Sequence, residues 1–171
     1  MRKQARGLVL GGMAVTLALS GCGGGGSKPK LDREELRSRG NALCKAAQDR
    51  IDAGAANIFT ERSAGGFVSI PTPQEITRFV KEVFSREFDR ELDGLDKLGR
   101  PIRDPDLYDR ALDEGHKGLE QIKNDPTSIQ SRDQSPLLPY DDRIAGLGLD
   151  ECRAGARAIE LTNGLRRPGT P

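Results

Sequence analysis

The strongest structural signal in the chain is TPQEITRFVKEVFSREFDRELDGLDKL, residues 72–98. Thr72 and Glu75 have the spacing of a capping box, and Pro73 stands at the first helical position. Apolar side chains then recur every three or four residues along one stripe: Ile76, Val80, Val83, Phe84, Phe88, Leu92 and Leu95. Gly99 stops the pattern. The stretch therefore predicts a long amphipathic helix with one buried face.

Three further helices are predicted around this stretch. Residues 31–53 carry a weaker apolar stripe: Leu36, Gly40, Leu43, Ala47 and Ile51. Gly54 is expected to end that helix. A third helix is predicted over 105–123, and a shorter fourth over 140–147, because both segments show the helical period after a cap or a proline.

The remaining segments indicate connections. Residues 54–71 hold three glycines and no sustained period, and residues 124–139 contain three prolines. No strand alternation is evident. The sequence predicts an all-α fold, a small antiparallel bundle of three main helices plus a minor fourth, spanning residues 31–152. Residues 153–171 are predicted to be a C-terminal tail with at most one helical turn.

Length and charge limit the function classes. A chain of 171 residues allows about one domain. Lys and Arg number 27 against 26 acidic residues, so the chain has no global field that would hold nucleic acid. The mean hydropathy of −0.58 excludes a multi-span membrane protein.

The N-terminal segment has the pattern of a secretory signal. Residues 1–6 carry three basic side chains and no acid, and an apolar stretch from Leu8 to Leu19 follows. The segment ends in Leu19-Ser20-Gly21-Cys22, which resembles the lipobox of bacterial lipoproteins. The resemblance implies removal of residues 1–21 and a lipid on Cys22. An ordinary secretory signal with a chance cysteine is the alternative.

The residues after Cys22 favour the lipid anchor. Gly23, Gly24, Gly25, Gly26 and Ser27 form a flexible tether within residues 22–30. Two or more acyl chains make a stable anchor. We therefore expect the protein at the cell membrane, lipid-anchored on its extracytoplasmic face.

Two cysteines remain, Cys44 and Cys152. Both are expected beyond the cytoplasmic membrane, where disulfides persist. A bridge between them would close a loop of more than a hundred residues, for which the chain-entropy model gives about 4–5 kcal/mol. The alternative is two separately buried free thiols.

The segments around both cysteines carry a second resemblance. Asn41-Ala42-Leu43-Cys44 and the stretch from Leu147 to Cys152, LGLDEC, are similar to motifs in small actinobacterial-type secreted lipoproteins. That group also has a helical hairpin with a proline-marked turn between the motifs, matched by residues 72–123. The group has no established activity, so the resemblance implies a location and a disulfide and no reaction.

Catalytic and metal-binding patterns are weak in this sequence. His116 is the only histidine, so it lacks the partners of a zinc site or a nucleophile–base pair. The acidic clusters lack the ligand spacing of a calcium loop. We therefore expect no metal and no cofactor, and we favour a non-enzymatic binding module with an envelope protein as possible partner. The alternative is an envelope hydrolase with paired carboxylates, which meet only in three dimensions.

One connection is more apolar than a solvated loop requires. Phe59, Phe67, Val68 and Ile70 lie within or beside residues 54–71, next to flexible glycines. They are the candidate partner surface. In the alternative interpretation these side chains fold back and close the end of the bundle.

Overall fold

The computed structural model describes residues 29–59 and 70–164, so Cys22, its tether, Phe67 and Val68 lie outside the described residues. The described chain is predominantly helical, as predicted. Its α-helices are α1 (Arg33–Phe59), α2 (Pro73–Phe79), α3 (Ser85–Leu98), α4 (Pro105–Asn124), α5 (Leu138–Gly146) and α6 (Ala154–Thr162). A π-helical segment (Val80–Phe84) joins α2 to α3, and 3₁₀ segments occupy Pro126–Gln130 and Asp150–Cys152.

The long helix over residues 72–98 is confirmed, including its capping box. The Thr72 side chain accepts from the Glu75 amide, and the Glu75 carboxylate accepts from the Thr72 amide. Five of its buried apolar residues recur at every fourth position: Ile76, Val80, Phe84, Phe88 and Leu92. Such a stripe drifts around an α-helix by about 40° per step, since one turn takes about 3.6 residues. The wider π turn at Val80–Phe84 offsets part of this drift, and all five side chains are buried.

Helix α1 does not end at Gly54 as predicted. It continues to Phe59, and Gly54 lies inside it against α2–α3. A Cβ atom at Gly54 would lie 2.4 Å from a methyl group of Val83. The glycine is therefore explained by close helix packing and not by helix termination.

Helices α4 and α5 complete the core around α3. Phe88 of α3 meets Tyr140 of α5 edge to face, with ring centroids 5.2 Å apart. Tyr108 of α4 donates a hydrogen bond to the Leu95 carbonyl of α3 at 2.7 Å. The absence of tryptophan is thus offset by buried Phe and Tyr rings that also fix how the helices meet.

The predicted domain boundary at Cys152 is too early. Helix α6 follows it and buries most of its residues, including Ala158 and Leu161. Arg157 of α6 also pairs with Asp52 of α1, and both side chains are largely buried. The segment assigned to a tail therefore belongs to the folded domain at least through α6. The residues just before α6 contain no capping side chain for it, because the cap comes from Asp141 of α5.

A two-residue parallel ladder fixes where the chain enters the domain. β1 (Lys30–Leu31) pairs with β2 (Arg100–Pro101) just after α3 ends. Gly99 has φ +123°, and a Cβ atom there would lie 2.3 Å from the Pro29 carbonyl oxygen. Only glycine fits this approach. Among the described residues, none of the helices is both long and apolar enough for a membrane span.

Candidate functional site

The disulfide between Cys44 and Cys152 is present, so the alternative of two free thiols is wrong. Cys44 lies in α1, Cys152 ends the second 3₁₀ segment, and their Cα atoms are 4.9 Å apart. Both residues are fully buried. The bridge ties the first helix to the segment that precedes α6.

A buried carboxyl group lies beside the bridge. An oxygen of Glu91, from α3, is within 4.8 Å of both cysteine sulfurs. The Tyr140 hydroxyl donates to Glu91 Oε1 at 3.0 Å, whereas Glu91 Oε2 has no hydrogen-bond partner among the described residues. Because both sulfurs are bonded to each other, these three residues do not form a metal-ligand set in the oxidised protein.

Burial controls the protonation of this group. It raises the pKa of Glu91 well above its ordinary value, and the hydrogen bond from Tyr140 opposes this rise only partly. A protonated Glu91 also avoids placing an unpaired charge in the core. The pair of Glu91 and Tyr140 is therefore a neutral polar link between α3 and α5.

Asp141 provides the missing cap of α6. Its two carboxylate oxygens accept from the amides of Gly155 at 3.1 Å and Ala156 at 2.6 Å, at the start of that helix. Burial raises the pKa of Asp141 to about 6, against the lowering effect of these two amides. A side chain from α5 thus satisfies backbone donors that α6 cannot satisfy itself.

Glu87 has the opposite environment one turn before Glu91. Three guanidinium groups converge on its buried carboxylate. Arg50 donates to Oε2 at 2.7 Å, and Arg86 and Arg90 each donate to Oε1 at 3.0 Å. Burial by itself raises the pKa of Glu87, but the hydrogen bonds from Arg50 and Arg86 and the charge of Arg90 outweigh it, so the pKa is lowered.

The three arginines are named here the arginine cluster: Arg50, Arg86 and Arg90. Their side chains are 49%, 60% and 60% exposed, respectively, so the cluster opens to solvent above the buried carboxylate. Three positive charges surround one negative charge. These four side chains together therefore carry a net charge of +2 where α1 meets α3.

Two residues of the candidate partner surface lie in the described chain, and their burial differs. Phe59 is half-buried, packs against the core and contacts the Phe79 ring at a centroid distance of 5.3 Å. Ile70 is 66% exposed. For Phe59 the fold-back interpretation agrees with the packing, whereas Ile70 keeps most of its side chain in solvent.

Two open grooves and one small cleft are formed by described residues, and each has one carboxylate in its lining. These are Glu34 beside the start of α1, Asp104 beside the start of α4, and Asp142 in the groove between α4 and α5. The two buried acids near each other, Glu91 and Asp141, line none of them. Paired carboxylates facing substrate are thus not found in these grooves.

The sequence prediction missed Glu87, Glu91 and Asp141. A signal for the two glutamates was available, since each follows a buried phenylalanine by three residues and falls on the apolar stripe of α3. Asp141 gave no such signal, because its role depends on contact with a helix that begins thirteen residues later.

The chain matches no family model, no curated protein and no solved structure. Its similarity to lipoproteins at Cys22 and around the two other cysteines therefore stays a prediction from the sequence.

Proposed function

We propose that the protein is a membrane-anchored extracytoplasmic lipoprotein whose folded domain is a non-enzymatic interaction module of the cell envelope. The observation that carries the proposal is the sequence Leu19-Ser20-Gly21-Cys22 after a basic and apolar leader. The glycine tether that follows it supplies the flexible spacer such an anchor needs.

The disulfide supports an oxidising location. Disulfides persist in secreted and envelope proteins and are rare in the reducing cytoplasm. The bridge between Cys44 and Cys152 joins residues 108 positions apart, so it constrains nearly the whole domain. A structural bridge of this reach suits a protein that folds outside the cytoplasm.

The contacts between helices support the proposed antiparallel bundle. Along α1, Leu43 lies against Gly94, Arg50 against Glu87, and Gly54 against Val83. Residue numbers therefore rise along α1 while they fall along α2–α3. A bundle of this kind offers rigid helical faces to a partner.

The buried acids favour binding over hydrolysis. Glu91 and Asp141 are the acids whose pKa values are raised most clearly, and both serve internal links of the core. A hydrolase with paired carboxylates needs them in a substrate cleft. The exposed, preorganised group of the domain is instead the arginine cluster, which is suited to recognition.

The lipid anchor is tested by mass and partitioning. Intact mass of the wild-type protein should show loss of residues 1–21 and addition of acyl chains at Cys22. Wild type should enter the detergent phase, and Cys22→Ala should lose the acyl mass and leave the membrane fraction. A Cys22→Ala protein that still partitions like wild type would contradict the anchor. Cys152→Ser is the control for general effects of losing a cysteine.

The interaction role is tested by capture from detergent-solubilised envelope with the mature lipoprotein as bait. A specific envelope protein should be retained in stoichiometric amount and lost after substitution of surface residues that leave stability unchanged. Turnover of envelope substrates by the purified protein, abolished by a single carboxylate substitution, would favour the hydrolase alternative.

A further inference from the structure

We propose that the arginine cluster, Arg50, Arg86 and Arg90, is a binding site for the phosphate groups of a soluble or wall-associated phosphodiester polymer. The evidence for the site is the position and the charge of these three side chains in the folded domain. The proposed function enters in one respect only, namely the position of the cluster relative to the membrane.

The number of arginines exceeds what Glu87 requires. A single guanidinium can satisfy a carboxylate with two parallel hydrogen bonds. Here each of three guanidiniums gives Glu87 one hydrogen bond. Each guanidinium carries five N–H donors. Within residues 29–59 and 70–164 none of the three makes another hydrogen bond or ion pair, so most of their donors are available to a ligand.

Glu87 holds the three guanidiniums close together. Their donor nitrogens are all within 3.0 Å of one carboxylate, although Arg50 comes from α1 and the other two come from α3. Converging cations would otherwise repel one another and move apart in solvent. The buried carboxylate therefore preorganises the cluster, and a ligand pays little of the entropy of assembling it.

Neighbouring acids do not neutralise the excess charge by pairing with the cluster. Asp49 precedes Arg50 and pairs with Lys45 at 3.2 Å. Asp93 lies one turn after Arg90 and pairs with Lys97 at 3.6 Å. Asp49 and Asp93 thus already have other partners. Asp89, between Arg86 and Arg90 in the chain, is exposed, and no ion pair among the described residues joins it to the cluster.

The geometry favours phosphate over a carboxylate ligand. A carboxylate offers two oxygens, whereas a phosphate group offers its oxygens in several directions. Three guanidiniums that approach from two helices can share a tetrahedral group of this kind, and arginine is well suited to phosphate oxygens. A polymer adds avidity by presenting further phosphates to the same surface.

The position of the cluster favours a ligand away from the anchoring membrane. Arg50 lies nearly five turns along α1 from Arg33, about 25 Å at 1.5 Å per residue. The tether enters the domain beside Arg100, at the opposite end of that helix from Phe59. The cluster thus lies about 25 Å along α1 from the end of the helix at which the proposed tether enters, so a polymer can reach it without contact with the anchoring membrane.

Calorimetric titration of the mature protein, residues 22–171, in neutral detergent micelles tests the site. The probes are inorganic phosphate, soluble poly(glycerol phosphate) and micelles doped with phosphatidylglycerol. We expect saturable binding of inorganic phosphate and tighter binding of the polymer. Arg50→Gln, Arg86→Gln and Arg90→Gln should each weaken polymer binding about three- to tenfold. Acetate at the same concentration should compete less well than phosphate.

Arg78→Gln is the matched control, since Arg78 is also exposed on the long helix and pairs with Glu82 at 3.2 Å. It removes the same charge outside the cluster and should change polymer affinity less than twofold at physiological salt. Equal weakening by Arg78→Gln, or no saturable binding of phosphate and polymer, would overturn the proposal. Tighter binding to phosphatidylglycerol micelles than to the polymer would overturn the choice of a polymer ligand. None of these results depends on acylation of Cys22, so failure of the anchor and failure of this site are distinguishable.

Discussion

Glu87 and Glu91 lie one helical turn apart on α3, both buried, yet their carboxyl groups face opposite electrostatic environments. Glu87 is surrounded by three guanidiniums, which lower its pKa, whereas burial beside the disulfide raises that of Glu91. One helix face therefore carries a charged link to α1 and a neutral link to α5. The two acids should give the stability of the protein opposite dependences on pH.

Glu91→Gln should remove a loss of stability at higher pH. The pKa of Glu91 is raised in the folded protein, so the folded state holds a proton that the unfolded chain releases above about pH 4.5. In wild type, the contribution of Glu91 to the free energy of unfolding is fully present below that pH. Above it, this contribution falls by at most about 1.4 kcal/mol per pH unit. Denaturant unfolding at pH 4.5, 6 and 7.5 should show that the stability of Glu91→Gln rises relative to that of wild type as the pH increases. Parallel curves for the two proteins would refute a raised pKa, and Glu82→Gln is the exposed control.

Glu87→Gln should change the pH dependence of stability in the opposite direction to Glu91→Gln. The pKa of Glu87 is lowered in the folded protein, so its contribution is present above about pH 4.5 and is lost as the pH falls through the folded pKa. At neutral pH the variant should lose about 1–2 kcal/mol, because three guanidiniums lose their acceptor while their exposed faces remain hydrated. The difference from wild type should shrink at acid pH. A difference independent of pH would contradict this account.

Asp141→Ala should loosen α6 without unfolding the rest of the domain. It removes both acceptors of the Gly155 and Ala156 amides. Loss of about 1.4 kcal/mol of local stability corresponds to roughly tenfold faster hydrogen exchange at these amides. Asp142→Ala is the matched control, since the neighbouring Asp142 is exposed. Equal exchange rates in the two variants would remove Asp141 as the cap.

The disulfide should contribute strongly to stability. Thiol labelling of the unfolded, unreduced protein should find neither Cys44 nor Cys152 free. The Cys44→Ala, Cys152→Ala double variant should lose about 2–5 kcal/mol, because the bridge closes a long loop and the unfolded chain gains entropy without it. Equilibrium unfolding by urea measures the loss. Wild type and double variant of equal stability would show that the bridge does not support the fold.

How far the sequence predicts this fold depends on whether a feature is local. The long helix at residues 72–98 was predictable, because its cap and its apolar stripe lie in one continuous stretch. The disulfide could be proposed from two cysteines and an inferred compartment. Gly54 looks like a helix stop in the sequence, because close packing against Val83 is a tertiary effect that the sequence does not show.

The candidate site was less predictable for the same reason. Arg50 belongs to α1 and Glu87 to α3, and the pair is visible only after the two helices meet. The sequence predicts the domain boundary too early, because α6 takes its cap from Asp141 and its ion pair from Asp52. Short helices that depend on distant partners give little signal of their own.

Substitutions at Phe59 and Ile70 should separate packing from recognition in the candidate partner surface. Phe59 contacts Phe79 and the core but stays half-buried, so Phe59→Ala should cost about 2–3 kcal/mol, less than the about 3–5 kcal/mol of a fully buried phenylalanine. Ile70 is 66% exposed, so Ile70→Ala should leave the free energy of unfolding within about 0.5 kcal/mol. Urea unfolding of both variants beside wild type measures the two values. A partner that binds wild type but not Ile70→Ala would assign recognition to this end of the domain. A large loss of stability in Ile70→Ala would instead place Ile70 with Phe59 as packing and end its role in a partner surface.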